Sequence, residues 1–465
     1  MNMLTLRLDK NASEPLYEQL YNYIKSEILN GQCPFGTKLP SKRQLSSHLQ
    51  CSQNTIQNAY DQLIAEGYIV SKPRSGFYVC ELEGTIRMAS PSSDPLQKAT
   101  PEPDYPYNFS YQGVDLERFP FGSWRKIMRE VISEFDVDLL KIGHSQGDPH
   151  LRSNIASYLH YSRGVRCHPN QIIISSGTEF LLQLLIQLFH QDCIYGLENP
   201  GYERLSLLFK SNQASYKPIP LDHKGMVPGE VHKSQASVIC VTPSHQFPTG
   251  SIMPINRRIQ LLNWAKKSEN RYIIEDDYDS EFKYSGKPIP SFQGLDSNGK
   301  VIYMGAFSKS LMPGIRISYM VLPKQLLEVY HEKLSFYICP VPTFEQKVLH
   351  QFMNGGHFER HLNKMRNVYK KKREALVEAI QNLLPDAEIS GANAGLHLLL
   401  KVNNGMDEAT LISRAAKNGI QVHGISQFYL ENLPKNQSPT LLLGFATLRE
   451  EDIPMAVILL QKAWQ

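Results

Sequence analysis

Near the N-terminus, Leu16, Leu20, Tyr23, Ile24 and Ile28 recur at helical spacing and predict an amphipathic helix that stops before Gly31 and Pro34. Ser41 stands three residues before Gln44, the signature of a capping box, which predicts a second helix through Leu49. After a break at Gln50-Cys51, Ser52 is a good N-cap for a third helix that turns Ile56, Tyr60, Leu63 and Ile64 inward. Two helices joined by so short a turn form a helix-turn-helix. Beyond Gly67 the period changes: Tyr68-Ile69-Val70 and Phe77-Tyr78-Val79 flank residues 71–76 and predict a β-hairpin with a basic tip.

The pattern changes again after Cys80. Residues 84–106 hold Gly84, Ser90, Pro91, Ser92, Ser93, Pro95, Pro101, Pro103 and Pro106 with few large aliphatics, and cannot bury enough apolar surface to offset their ordering entropy. This divides the chain into a domain at 1–80, a linker at 81–106 and a second domain at 107–465. In the second domain short β-rich runs alternate with long helical ones, the pattern of an α/β fold.

The length of 465 residues excludes one ordinary compact domain, and a composition of 42% apolar and 20% charged residues excludes a disordered or low-complexity chain. A net charge of +4 is too slight for a chain that coats a polyanion, so any nucleic-acid contact must be a local patch. Seven scattered cysteines without a C-x-x-C pair imply free thiols in a reducing cytoplasm. The N-terminus lacks a signal-like run, and the greasiest stretch, 180–189, is broken by Gln183 and Gln187, so no membrane segment is expected.

A local basic patch does exist. Lys38, Lys42, Arg43, Lys72 and Arg74 bracket the third helix, whose start carries Ser52, Gln53, Asn54, Thr55, Gln57 and Asn58. Such side chains exchange hydrogen bonds with base edges or phosphates when a helix enters the major groove of double-stranded DNA. A small helical interaction module with ordinary surface Gln and Asn is the rival reading. The stretches Leu39-Pro40-Ser41-Lys42-Arg43-Gln44-Leu45, 52–60, Leu63, Glu66-Gly67 and Ser75-Gly76-Phe77 resemble the GntR-type winged helix-turn-helix across nearly the whole first domain.

Three clusters carry chemistry in the second domain. Ile172-Ile173-Ile174-Ser175 is a β-run, after which Ser176-Gly177-Thr178 opens a helix carrying Phe180, Leu181, Leu184, Leu185 and Leu188. A glycine turn with hydroxyls at a helix N-terminus is a phosphate cradle, though more often simply a cap. Tyr272-Ile273-Ile274 runs into Glu275, Asp276 and Asp277, acids at a strand's end where an open α/β sheet binds ligands. A metal site is the alternative there, and no second His/Asp/Glu cluster at ligand spacing supports it. Val301-Ile302-Tyr303-Met304 leads to Ser308-Lys309, with Arg316 seven residues on; a desolvated lysine near a cation loses its proton easily enough to form a Schiff base.

Together these clusters resemble the fold-type-I aminotransferases, which bind pyridoxal 5′-phosphate (PLP). The resemblance implies a large three-layer α/β/α lobe with a small α+β lobe. It makes Lys309 the catalytic lysine that holds PLP as an internal aldimine and Asp276 the carboxylate beneath the pyridine nitrogen. Ser176, Gly177, Thr178, Ser308 and Arg316 then match the phosphate ligands, Tyr202 the aromatic stacked on the ring, and Tyr278 the tyrosine near the ring hydroxyl.

A GntR-type head joined through a Pro/Ser linker to such a body is the architecture of the MocR/GabR family of transcriptional regulators, and residues 242–250, Thr-Pro-Ser-His-Gln-Phe-Pro-Thr-Gly, resemble that family in particular. The resemblance implies a homodimer that binds a DNA operator and senses an amino compound or PLP itself. Arg204 is placed like the effector-carboxylate arginine of the GABA-responsive member, with Arg449 a second cation. Three positions depart from working aminotransferases. Phe247 replaces an asparagine facing the ring hydroxyl, Ala306 a phosphate-assisting hydroxyl residue, and Leu442 the arginine that clamps the substrate α-carboxylate. Losing that bidentate clamp weighs against efficient turnover of free amino acids. An active aminotransferase with an accessory DNA-binding head, and a body that is only a dimerisation scaffold, are the rival readings. His144, His245, His397 and His423 show no ligand spacing and read as structural or loop residues.

Overall fold

The computed structural model describes residues 6, 8–10, 12, 14–82, 105–133, 137–189, 192–284, 286, 289–431 and 438–465; most of the expected linker, 83–104, lies outside the described residues. The chain divides into two compact units, Met1–Glu102 and Pro103–Gln465.

In the first unit, α1 (Leu16–Leu29), α2 (Lys42–Leu49) and α3 (Gln53–Ala65) pack around buried Leu20, Ile24, Leu45, Ile56 and Tyr60. The capping box forms as the residues predict: Ser41 Oγ accepts from Gln44 N, and the Gln44 side chain accepts from Ser41 N. α2 ends on Gln50 in the left-handed region at φ +48°, and Ser52 Oγ then caps Thr55 N. Ile64, expected inward, is half-buried, and Ala59 takes the buried place. The hairpin pairs β2 (Ile69–Lys72) with β3 (Gly76–Val79), and β1 (Lys38–Leu39) adds on the far side of β3 in a three-stranded antiparallel wing.

The second unit opens with β4 (Tyr107–Asn108), α4 (Phe121–Ser133) and α5 (Pro149–Arg163). Its large lobe continues with β5 (Ile172–Ser175), α6 (Thr178–Leu188), β6 (Ile194–Asn199), α7 (Glu203–Ser211), β7 (Ser215–Asp222), β8 (Gly225–Met226), α8 (Pro228–Ser234) and β9 (Val238–Val241). After these come α9 (Ile255–Lys266), β10 (Tyr272–Asp277), β11 (Val301–Ala306), α10 (Phe307–Ser310), β12 (Ser318–Val321), α11 (Lys324–Lys333) and α12 (Thr343–Asn354). Eight strands form one sheet in the order β5-β12-β11-β10-β9-β6-β7-β8, parallel from β11 to β7. The central strands β9 and β11 and the edge strand β5 are buried on both faces, which is why they read as continuous apolar runs. Ile173, Ile274, Ile302 and Met304 face α6 and α11; Ile172, Ile174 and Tyr303 face the opposite layer with α5 and α12. On α6, Phe180 is exposed and Leu182 is buried.

The small lobe holds β13 (Glu388–Ser390), β14 (His397–Lys401), α14 (Glu408–Lys417), β15 (Ile420–Gln421), β16 (His423–Gly424), β17 (Thr440–Gly444) and α15 (Ile453–Trp464), joined to the large lobe by α13 (His357–Leu383). The 27-residue α13 begins in the large lobe's core with Phe358 and Leu362 and ends in the small lobe's with Leu376 and Ile380. The sheet β13-β14-β17-β16 is antiparallel, and strand alternation splits its faces. Leu441 and Leu443 face α13 and α15, whereas Leu442 and its partner Leu399 face a separate cluster with Phe247 and Phe428.

Candidate functional site

The C-terminal ends of β5, β6, β10 and β11 lead directly to the residues singled out above, at the sheet edge where α/β folds bind ligands. At the end of β5, Ser176 and Thr178 are half-buried and Gly177 takes φ +87°. At φ +87° and ψ +157° Gly177 holds a backbone that essentially only glycine adopts, and a Cβ there would also displace the ends of Arg316 and Glu179, 2.2 Å and 2.5 Å away. α6 starts there without a side-chain cap, leaving its first N–H groups for an anion. Arg316 Nη2 pairs with Glu179 Oε2 at 3.0 Å across the turn.

Lys309 lies on α10 beside half-buried Ser308, and its Nζ donates to the Tyr111 carbonyl at 2.6 Å. Burial, opposed in part by Asp279, pushes its pKa down to about 8. A neutral amine is the nucleophile, so its fraction rises with pH until about 8. Capture of an added aldehyde cofactor is therefore expected to accelerate about tenfold per pH unit below 8 and level off above it, as followed by rapid-mixing absorbance.

Strand alternation sorts the three acids of β10. Glu275 accepts from Phe292 N at 2.7 Å and Gln293 N at 2.8 Å. Asp277 Oδ2 accepts from Arg163 Nε at 2.8 Å and the Tyr303 hydroxyl at 2.5 Å. Asp276 points to the opposite face, and its buried Oδ1 has no hydrogen-bond partner among the described residues. Burial first, then Asp277, Asp279 and Glu179, pushes its pKa up to about 7. An orphaned buried carboxylate oxygen signals a missing partner. A cavity of about 30 Å³ adjoins it, lined by Tyr202, Cys240, Thr242, Phe247 and Glu198. A carboxylate oxygen free to accept from a protonated ring nitrogen, a half-buried amine able to take an aldehyde and a glycine turn with an arginine for a phosphate together fit PLP.

One assembly escaped sequence reasoning. His245, Asp279 and His397 bring their side-chain donor and acceptor atoms within 4.8 Å of one another, all buried. His245 Nδ1 lies 2.9 Å from Asp279 Oδ2 and 3.0 Å from the Tyr278 hydroxyl, and His397 Nε2 lies 3.1 Å from the Pro248 carbonyl. These histidines, expected from the sequence to be structural or loop residues, form an assembly that is hydrogen-bonded to a predicted cofactor residue, Tyr278. Tyr202 packs edge-on against Phe247 at 5.8 Å. Leu442 joins Phe247 in the same apolar cluster, so its side chain faces the site. Arg204 is exposed on the first turn of α7 and acts electrostatically on Tyr111 and Tyr202; Arg449 is tied to Asp452 at 2.8 Å.

On the first unit, Gln53, Asn54 and Asn58 are exposed along α3, while Ser52 and Thr55 are engaged in its cap. Lys42 Nζ donates to Gln57 Oε1, and Gln57 donates on to Asp61. Arg43, Lys72 and Arg74 are exposed, Arg74 at the wing tip with φ +62°.

The aminotransferase class I and II family matches residues 115–457, and the bacterial regulatory proteins, gntR family, match residues 16–79. The chain is 44% identical over 464 residues to the uncharacterized HTH-type transcriptional regulator YdeL of Bacillus subtilis, covering 99% of each. It is 31% identical to the probable rhizopine catabolism regulatory protein MocR of Rhizobium meliloti, over 96% of this chain and 94% of that one. Among solved structures, the kynurenine aminotransferase of Pyrococcus horikoshii superposes with a TM-score of 0.69 at 27% identity, over 78% of this chain and 91% of the other.

Proposed function

The chain belongs to the MocR/GabR family of HTH-type transcriptional regulators, and from that premise we propose that its body carries PLP on Lys309 and reads an amino compound, or PLP itself, as its signal. The observation that carries this reading is the orphaned Asp276 Oδ1 at the strand ends that also present half-buried Lys309. Bound PLP supplies an electron sink through its protonated pyridine. In this reading Asp276 holds the ring proton, Ser176, Gly177, Thr178, Ser308 and Arg316 take the phosphate, Tyr202 covers the ring and Tyr278 approaches its hydroxyl.

Leu442 favours regulation over turnover. Where a guanidinium would grip an α-carboxylate in two hydrogen bonds, an aliphatic side chain packs with Phe247 and Leu399. Arg204, exposed beside Tyr202, is the residue assigned to an effector's acidic group. The protein acts as a cytoplasmic homodimer on double-stranded operator DNA, reading it through Lys42, Arg43, the N-terminal half of α3 and the wing residues Lys72 and Arg74.

Linkage makes the reading testable, because an effector that changes operator affinity must have its own affinity changed by the same factor. Titration of PLP-loaded protein with candidate amines, followed by absorbance with and without operator, is expected to give two affinities differing by that factor. Steady turnover of an amino donor with a keto acid would favour the enzyme reading instead. Arg43→Ala and Asn54→Ala are each expected to weaken operator binding about tenfold while leaving PLP content unchanged, with Arg43→Ala also flattening the salt dependence. Unchanged affinity in both variants would sink the placement of α3 in the groove.

A further inference from the structure

The buried histidine assembly lies beside the cofactor site yet takes no part in the roles above. His245 is on the loop between β9 and α9, and Asp279 follows the end of β10 by two residues. Gly395, at φ +72° just before β14, forms the roof of their chamber: a Cβ there would lie 2.2 Å from His245 Nδ1 and 2.3 Å from Asp279 Oδ2. The fold thus keeps a glycine in the left-handed region where any side chain would expel the pair.

The hydrogen-bond partners assign the tautomer, with Asp279 taken as an ionised carboxylate. Asp279 accepts only, so His245 Nδ1 carries a hydrogen, and that hydrogen lies between Asp279 Oδ2 at 2.9 Å and the Tyr278 oxygen at 3.0 Å. His245 Nε2 faces the Gly391 carbonyl at 3.4 Å, another acceptor. A buried carboxylate of this kind favours the imidazolium, and Asp279 raises the His245 pKa against its burial. The groups facing this pair are Tyr278, His397 from β14 and Lys309 from α10; burial, His245 and Lys309 keep His397 neutral. Tyr278 keeps its own proton, because burial and then the carboxylates of Asp279 and Asp276 hold its hydroxyl well above the ordinary range. Its ring is also stacked near that of His245, with centroids 6.1 Å apart.

We propose that His245, held by Asp279, is a positioning residue for Tyr278. It anchors the phenol oxygen so that Tyr278 serves as the hydrogen-bond donor to the PLP ring oxygen, at a site where Phe247 supplies no polar group. The inference rests on the reading that PLP binds at Lys309 with Tyr278 at its ring hydroxyl. Phe247 closes the alternative route, since its ring contacts Tyr111, Tyr202, Tyr278, His397 and Phe428 and offers no donor.

A donor on the ring oxygen stabilises its anion and so lowers the pH at which the bound chromophore loses its proton. The test follows that transition in full-length, PLP-loaded protein by absorbance across pH. Tyr278→Phe is expected to raise the transition by about one unit, and His245→Phe to raise it in the same direction by about half as much or more. In the double variant the two shifts must not add, because a histidine acting through the tyrosine hydroxyl has nothing to act on once that hydroxyl is gone. His245→Asn, whose amide N–H reproduces Nδ1–H, is expected to restore the wild-type transition; His245→Gln, whose amide reaches past that point, is not. It replaces His245→Phe as the loss variant if the phenylalanine form does not fold.

Additive shifts in the double variant would mean that His245 acts by its own charge, and no shift in either loss variant would mean that it is only packed there. Either result overturns the proposal. Wild-type protein that takes up PLP without a visible band, or takes up none, overturns the cofactor reading and this inference with it, a signature distinct from the other two.

Discussion

Lys309→Ala is expected to abolish the visible chromophore completely, and borohydride treatment of the variant with PLP should leave no covalent label. The basis is local. Lys309 is half-buried, its amine loses a proton near pH 8, and its Nζ donates to the Tyr111 carbonyl, which accepts but donates nothing. Lys309→Arg is not a substitute, since guanidinium stays protonated. Operator binding should survive in both variants, because the head is a compact unit with a hydrophobic core of its own. What should vanish is any response of that binding to amines. A variant that still forms the chromophore would remove Lys309 from the role, and one that still responds to amines would separate sensing from the lysine.

The second large effect concerns two adjacent acids with opposite consequences. Asp277→Ala is expected to destabilise the body by about 3–5 kcal/mol, because it strands the Arg163 guanidinium with its charge buried. Arg163 and Asp277 side chains are 4% and 1% exposed, and the carboxylate also receives the Tyr303 hydroxyl. Asp276→Ala removes a carboxylate with no partner on Oδ1, so it should leave stability nearly unchanged or slightly raised while sharply weakening PLP retention. Denaturant unfolding of both apo variants, with the body's transition followed separately from the head's, measures the first difference; PLP content after dialysis measures the second. Equal destabilisation by the two substitutions would contradict the sorting of the acids described above.

That sorting shows where the chain was legible. The acids of β10 are plain in the sequence, and strict alternation along a strand puts Glu275 and Asp277 on one side with Asp276 on the other. Which side holds the partners depends on Arg163, Phe292 and Gln293, distant in sequence. The capping box of Ser41 and Gln44 was legible because its chemistry spans three residues. β1 was not, because two residues carry no periodicity and pair only once β3 is in place. Leu442 was visible as a missing arginine, yet that it faces Phe247 follows only from the register of β17 against β14. His245 and His397 come from separate lobes and meet through folding alone, so no spacing rule could have joined them.

The helix α13 has a mechanical meaning. Its 27 residues form a rod about 40 Å long, anchored at one end in each lobe's core, so a tilt of about 5° at one end displaces the other by about 3–4 Å.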